Sequence, residues 1–261
     1  MTFHVSGREL RNWLRGLDSE IRKYLVTVSD PARVMSLYAF DKKMSARELS
    51  NSKVAIVSGS MSEPELYFLD VSLENITTLN YEDDPSVYDL TLDWSASSYA
   101  DLHGAFDVVL CEQVLEHLPD TFQAMQNLSL LLKPNGILHV SVPALNNSHG
   151  EPHYYFAGFH PRAIHQLAEK SGLEVHEAQG WASNKAARMY ATCDWSPLAQ
   201  SGSIAFLLMG IVLLARQPKR LARTLQGKLN NSAGHPFQSL MQRVQSKNLV
   251  ITWMFATKTE D

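Results

Sequence analysis

Two cysteines in 261 residues, Cys111 and Cys193, lie far apart with no metal-ligand spacing around them. A disulfide framework and a zinc module are therefore not expected, and a reducing compartment is. Long hydrophobic runs are missing too: residues 204–215, IAFLLMGIVLLA, are twelve apolar residues, against the roughly 20 that a membrane-spanning helix needs. The N-terminus, MTFHVSGRELRNWL, carries charges where a secretory leader would have its apolar stretch, so no export signal is expected and the cytoplasm is the expected location. Residues 54–132 contain 14 Asp or Glu and neither Lys nor Arg, whereas residues 195–259 contain eight Lys or Arg and no acid. An acidic half suits a ligand rich in hydroxyls and positive charge, and a basic half suits phosphates or an anionic surface; equally, these are two solvated faces of a near-neutral globule.

Residues 106–142 are the most legible part of the chain. Residues 106–110 are a short apolar, β-branched run, and residues 121–132 repeat Phe122, Met125, Leu128, Leu131 and Leu132 at helical spacing. Lys133-Pro134-Asn135-Gly136 stops the helix, and residues 137–142 form a second buried strand. Cys111, Glu112, Gln113, Glu116 and His117 thus fall where a strand hands over to a helix. Parallel α/β sheets bind ligands beyond the carboxyl ends of their strands.

The rest of the chain fits that frame. Residues 1–52 read as amphipathic helices forming a cap, with Leu10, Trp13, Leu14, Leu17, Ile21 and Leu25 on one stripe. Residues 53–57 read as a strand, 63–71 as a helix with Pro64 in its first turn, 76–80 as a strand and 87–92 as a further strand. Alternating strands and helices call for an α/β fold with a doubly wound, mostly parallel sheet. The expected organisation is a cap over 1–52 and a main domain over 53–261, with a helical insertion at about 182–248. In such a sheet the first strand–loop–helix turn lets the backbone approach a ligand, and a polar side chain at the tip of the second strand accepts from ribose hydroxyls. Here that tip is Asn80, so a nucleoside cofactor suits the layout.

Several segments resemble class I S-adenosylmethionine-dependent methyltransferases, specifically the small-molecule group that includes quinone-pathway enzymes. They are Phe106-Asp107-Val108-Val109-Leu110, Val114-Leu115-Glu116-His117-Leu118 and Leu132-Lys133-Pro134-Asn135-Gly136-Ile137-Leu138. Further on, Pro152-His153-Tyr154-Tyr155-Phe156, Phe159-His160-Pro161, residues 168–175 and residues 249–258 are similar to that group's acceptor segment, late helix and closing strands. The resemblance covers roughly residues 50–180 and 249–258, and it implies a Rossmann-like methyltransferase fold whose last strand is antiparallel. It also implies S-adenosyl-L-methionine as cofactor, with Ser58, Gly59 and Ser60 on the methionine part, Asn80 and Tyr81 on the ribose, Asp93 and Trp94 on the adenine, and Cys111, Glu112 and Gln113 on the sulfonium side. The chain departs from the family at the first loop. The acid position falls on Ile56, and Ser58-Gly59-Ser60-Met61-Ser62 holds one glycine, leaving Glu65 or Glu63 to meet the cofactor's amine. Trp94 alternatively belongs to the core, and Asp93 to a turn or helix cap.

Methyl transfer to a hydroxyl needs the acceptor aligned and its proton removed, and histidine titrates near neutrality. His117 is the first candidate base and His153, in the acceptor segment, the second; the other reading of His117 is that, with Glu116, it braces the helix start. His160 precedes Pro161 and reads as a helix cap. Some quinone-pathway relatives hold a divalent ion through Glu-x-x-Glu-His. Gln113 stands at the first position here, a neutral amide for a carboxylate, so no metal requirement is expected.

The run at 204–215 followed by Arg216, Lys219, Arg220, Arg223 and Lys228 has two readings. One is peripheral membrane contact through 204–228, giving access to a lipid-linked glycan; the other is a buried helix roofing the site. The favoured function is O-methylation of a small molecule, sugar or lipid-linked acceptor. The rival is a non-catalytic relative serving as a binding or scaffolding protein. A dinucleotide-dependent oxidoreductase is disfavoured because the first loop lacks G-x-G-x-x-G, and a nucleic-acid substrate because the basic residues are not interleaved with stacking aromatics.

Overall fold

The computed structural model describes residues 24, 31–81, 88–145, 152–181 and 251–259. The expected cap helices over 1–23, the 182–248 insertion with its apolar run and basic residues, and Cys193 lie outside these described residues. The chain divides into two compact units, residues 1–35 with 181–248 and residues 36–180 with 249–261. The first is described at the buried Tyr24, the opening of helix α1 (Pro31–Met44) and the last residue of one strand. The second holds the sheet.

Six strands are present among the described residues: β1 (Val54–Val57), β2 (Ile76–Leu79), β3 (Phe106–Glu112), β4 (Leu132–Pro143), β5 (Leu173–Trp181) and β6 (Ile251–Lys258). Their order is β2-β1-β3-β4-β6-β5. The pairs β1–β2, β1–β3 and β3–β4 are parallel, and β6 runs antiparallel to β4 with Ile137 opposite Thr257 and Pro143 opposite Ile251. Parallel strands form where both faces are covered, which is why these segments read as unbroken apolar runs. Ala55, Val57, Val109, Val140 and Val142 pack on one face with Met125 and Leu128 of α2 (Thr121–Leu131) and Ile164 and Ala168 of α3 (Pro161–Lys170). On the other face Phe40 of α1 meets the rings of His139 and Phe255, at 4.8 and 6.4 Å. The sheet is doubly wound, with an antiparallel last strand.

Local chemistry explains the boundaries. Asp120 caps α2, its side chain accepting from the N–H groups of Phe122 (3.1 Å) and Gln123 (2.9 Å). His160 caps α3 by accepting from the Arg162 N–H at 3.2 Å, with Pro161 in the first turn, as its position before the proline suggests. The helix ends at Leu131, and Lys133-Pro134-Asn135-Gly136 enters β4 as an irregularity, with Asn135 at φ 62 and a register shift between Phe106 and Val108. A Cβ on Gly136 would stand 2.9 Å from the Lys133 carbonyl, so glycine is required at this close approach.

Two expected elements differ. The helix over 63–71 is only a five-residue 3-10 helix, Pro64–Phe68, because Leu66, Tyr67, Phe68 and Leu69 are consecutive apolar residues without the spacing that would bury one face of a longer helix. The strand over 87–92 is absent from the described residues 88–92, which form turns. Asp89 explains this: its carboxylate accepts from the Thr91 N–H (2.8 Å) and hydroxyl (2.7 Å), a local bond that competes with strand pairing.

Candidate active site

A cleft of about 570 Å³ opens beyond the carboxyl ends of β1, β2 and β3. Its first wall is the loop after β1. Ser58 stands at φ 53, a left-handed conformation that a Cβ disfavours, and its N–H donates to the Leu79 carbonyl at 2.9 Å, tying the loop to β2. Gly59 is where no side chain fits: a Cβ there would lie 2.8 Å from Ile56 Cγ2 and 3.1 Å from Glu63 Oε1. Ser60 and Ser62 share a hydroxyl–hydroxyl bond of 2.6 Å. One glycine therefore suffices in this loop, because one serine accepts the left-handed turn and the single steric contact falls on Gly59. Asn80 and Tyr81 follow β2 into the same cleft. Of the two candidate acids, Glu63 lines the cleft, whereas Glu65 is fully buried and outside its lining.

The facing wall is formed by 88–91. Asn127 of α2 fastens it, donating from Nδ2 to the carbonyls of Leu90 (2.9 Å) and Leu92 (2.7 Å) and accepting at Oδ1 from the Trp94 N–H (3.2 Å). Trp94 itself does not reach the cleft. Its indole is fully buried, stacks on Tyr99 at 5.5 Å and donates from Nε1 to the Asp89 carbonyl at 3.0 Å. Asp93 points to solvent. Hydrogen bonds from the Ser95 side chain and backbone N–H hold its carboxyl below the ordinary value, as in a turn cap. The charged residue on this wall is instead Asp89, which a strand reading of 87–92 hides; the short-range pattern Asp89-Leu90-Thr91 was the signal for a turn.

At the tip of β3 the expected trio separates. Cys111 is buried in the sheet, and its thiol is pushed well up by burial first, then by the charges of Glu112, Glu116 and Glu63. Glu112 turns to the opposite face, where Oε1 accepts from His139 Nδ1 at 2.7 Å and Oε2 from the Ser141 hydroxyl. Gln113 alone lines the cleft, at φ 58. Strand alternation is the reason: β3 extends to Glu112, two residues beyond the expected end, so successive side chains leave on opposite faces.

The last wall joins a short 3-10 turn, Leu115–His117, to the segment around His153. His117 Nδ1 donates to the His153 carbonyl at 2.5 Å, and the N–H groups of Tyr155 and Phe156 donate to the Glu116 carbonyl at 2.9 and 3.2 Å. With Nδ1 carrying the hydrogen, the neutral ring has its lone pair on Nε2. The Glu116 carboxylate stands 3.9 Å from that nitrogen. The His153 ring is exposed at the rim, and its backbone rather than its imidazole orients His117. Phe159 closes the segment by donating its N–H to the Pro143 carbonyl (2.8 Å) and accepting from the Thr252 hydroxyl (2.7 Å). Among the described residues no Lys or Arg lines the cleft, whereas Glu63 and Asp89 do. A neutral or cationic ligand with hydroxyls matches such a lining better than a phosphate.

Known proteins are similar to part of this chain. A ubiquinone biosynthesis O-methyltransferase of Haemophilus ducreyi is 37% identical over 89 residues, 33% of this chain and 36% of that protein. Its counterpart in Thiobacillus denitrificans is 31% identical over 130 residues, 42% of this chain and 54% of that protein. That of Neisseria meningitidis serogroup A is 27% identical over 169 residues, 57% and 67% respectively. The chain spans about a third to a half of the length of the first two of these curated relatives. Among the described residues no helix is long and apolar enough to cross a membrane, and no three His, Cys, Asp or Glu side chains gather to hold a metal ion. A methyltransferase-domain family matches residues 32–178, more than half of the sequence, and this chain belongs to that family.

Proposed function

We propose that this chain is an S-adenosylmethionine-dependent methyltransferase acting on a hydroxyl of a small molecule. The observation that carries the proposal is a histidine, His117, held by a backbone carbonyl at the rim of a cleft whose floor excludes a side chain at Gly59. The cleft fits the cofactor: its volume suits a nucleoside-sized ligand, Asn80 and Tyr81 offer polar groups at the tip of β2, and Glu63 offers a carboxylate beside Gly59. Ser58, Gly59 and Ser60 would lie along the methionine part, Asn80 and Tyr81 along the ribose, residues 88–91 along the adenine and Gln113 near the sulfonium. Bound there, S-adenosylmethionine supplies an activated methyl group. The chain's own residues do the rest. His117 receives the acceptor's proton at Nε2, which its Nδ1 bond to the His153 carbonyl leaves as the basic nitrogen. The fastened segment 153–159 keeps that ring in place, as positioning requires.

The same reading extends to peripheral membrane contact through residues 204–228, whose apolar run and following basic residues suit an anionic surface and a lipid-linked acceptor. Calorimetric titration with S-adenosylhomocysteine tests the core of the proposal. Saturable one-to-one uptake is expected, and no uptake by the full chain overturns it in favour of a non-catalytic relative. Transfer of labelled methyl to a panel of phenols and sugar alcohols then tests the acceptor class, and co-sedimentation with anionic vesicles tests the membrane contact.

A further inference from the structure

Three polar side chains lie side by side on one face of the central strands β3 and β4. In the register of β3 and β4, Glu112 is opposite Ser141 and Leu110 opposite His139, so Glu112 sits between His139 and Ser141 on one face. His139 and Ser141 are fully buried and Glu112 is nearly so. Burying a carboxylate in a parallel sheet is unfavourable unless it is bonded. Here both its oxygens are, one by His139 Nδ1 at 2.7 Å and the other by the Ser141 hydroxyl. The His139 ring is wedged between Phe40 and Phe255, with centroids at 4.8 and 4.6 Å, and its Nε2 has no hydrogen-bond partner among the described residues. Its one visible polar task is to hold Glu112.

The network reaches the cleft through Ser141 and Gln113. Ser141 has one hydroxyl hydrogen, which goes to the Glu112 carboxylate, so toward Gln113 it can only accept. Gln113 must therefore turn its NH₂ to Ser141, and Nε2 does donate to Ser141 Oγ at 3.1 Å. A second bond, from the Gln113 N–H to the Ser141 carbonyl at 2.8 Å, fixes the backbone in its left-handed conformation. The amide is thereby prevented from flipping, and its carbonyl oxygen is left for the cleft that Gln113 lines.

We propose that His139, Glu112 and Ser141 are positioning residues that set the orientation of the Gln113 amide, so that Gln113 presents an acceptor oxygen to a hydroxyl or ammonium group in the cleft. None of the three touches the cleft. Their effect on ligand affinity rests on the cofactor reading above, whereas their effect on the amide does not, and the two are tested separately. In ¹⁵N–¹H spectra of the full chain without ligand, the Gln113 side-chain NH₂ is expected as a pair displaced from the positions of a solvated amide and slow to exchange with water, and Ser141→Ala should return the pair to those positions and speed its exchange. An unchanged pair in Ser141→Ala overturns the network as the orienting device. With S-adenosylhomocysteine as the probe, Ser141→Ala should weaken binding about tenfold, the size of one lost hydrogen bond. In a Gln113→Ala background the same change should have no effect. Additive losses in the two variants would show that Ser141 acts through the fold rather than through Gln113, and would overturn the proposal. Failure of the wild-type chain to bind the probe would overturn the cofactor reading and the affinity arm with it, while the spectra still decide the amide.

Discussion

Gly158 stands against Ala144 so closely that a Cβ on it would lie 2.4 Å from the Ala144 carbonyl carbon. Its φ of 151 adds a backbone conformation that side chains avoid. Gly158→Ala should therefore destabilise the fold by about 2–4 kcal/mol, by overpacking plus backbone strain. Gly172→Ala is the control: at φ 77 with nothing within 4 Å of the added carbon, it should cost only about 1–2 kcal/mol. Chemical denaturation of the two variants checks the ranking, and equal losses would refute the steric account.

At the first loop, Ser58 bears the left-handed strain and Gly59 the steric contact. Ser58→Gly should change stability by less than about 1 kcal/mol, since relieved strain is offset by the added freedom of the unfolded chain. Gly59→Ala should cost about 1–3 kcal/mol in an otherwise wild-type chain. Combining it with Ile56→Ala, which removes the atom 2.8 Å away, should recover part of that loss in a thermal-melt cycle.

For His117, replacement by Ala should lower kcat about 10²–10⁴-fold on a hydroxyl acceptor, with cofactor affinity within about threefold of wild type. His153→Ala should leave kcat within about threefold, because the carbonyl that orients His117 survives the substitution. Steady-state kinetics and calorimetry separate the two effects. A large kcat loss in His153→Ala would reassign the base.

Asp107 and Lys133 give a pH signature. Burial raises the Asp107 carboxyl, but the Lys133 ammonium at 2.7 Å and the Lys53 N–H at 2.8 Å outweigh it, and the net position is below the ordinary value. A depressed folded-state value contributes stability above the unfolded value of about 4 and loses it as pH falls through the folded one. Both side chains are about a third exposed, so after solvent screening the effect is about 0.5–1 kcal/mol. Asp107→Asn should flatten the stability profile below about pH 4 by that amount, read from denaturation midpoints across the acid range.

The buried Cys111 thiol, pushed up by burial and by neighbouring carboxylates, should resist a disulfide reagent at pH 8 in the native state. In a Cys193→Ser variant no thiol should react until denaturant is added; prompt reaction would place Cys111 nearer the surface.

Much of this was legible in the residues. The apolar runs of β1, β3 and β4 and the His160 cap follow from composition and spacing, and β6 follows from the family resemblance. The convergence of Ser58, Gly59, Asn80 and Gln113 with His117 on one cleft came instead from the family resemblance. What was not legible depended on side chains bonding to their own neighbourhood. Asp89 turns the chain where β-branched and apolar residues suggested a strand, and Trp94 finds Tyr99 and a backbone carbonyl in the core instead of a ligand. Glu112 leaves the cleft because β3 runs further than its apolar residues indicate, a matter of register between strands that no single segment records.

Asn127 joins helix α2 to the turn at 88–92, so the wall facing Ser58 is tied to that helix as well as to Trp94. A variant that frays the start of α2, such as Asp120→Ala, would loosen that wall from a distance and weaken ligand uptake while leaving every lining side chain unchanged. In this molecule, affinity is in part a readout of one helix's anchorage.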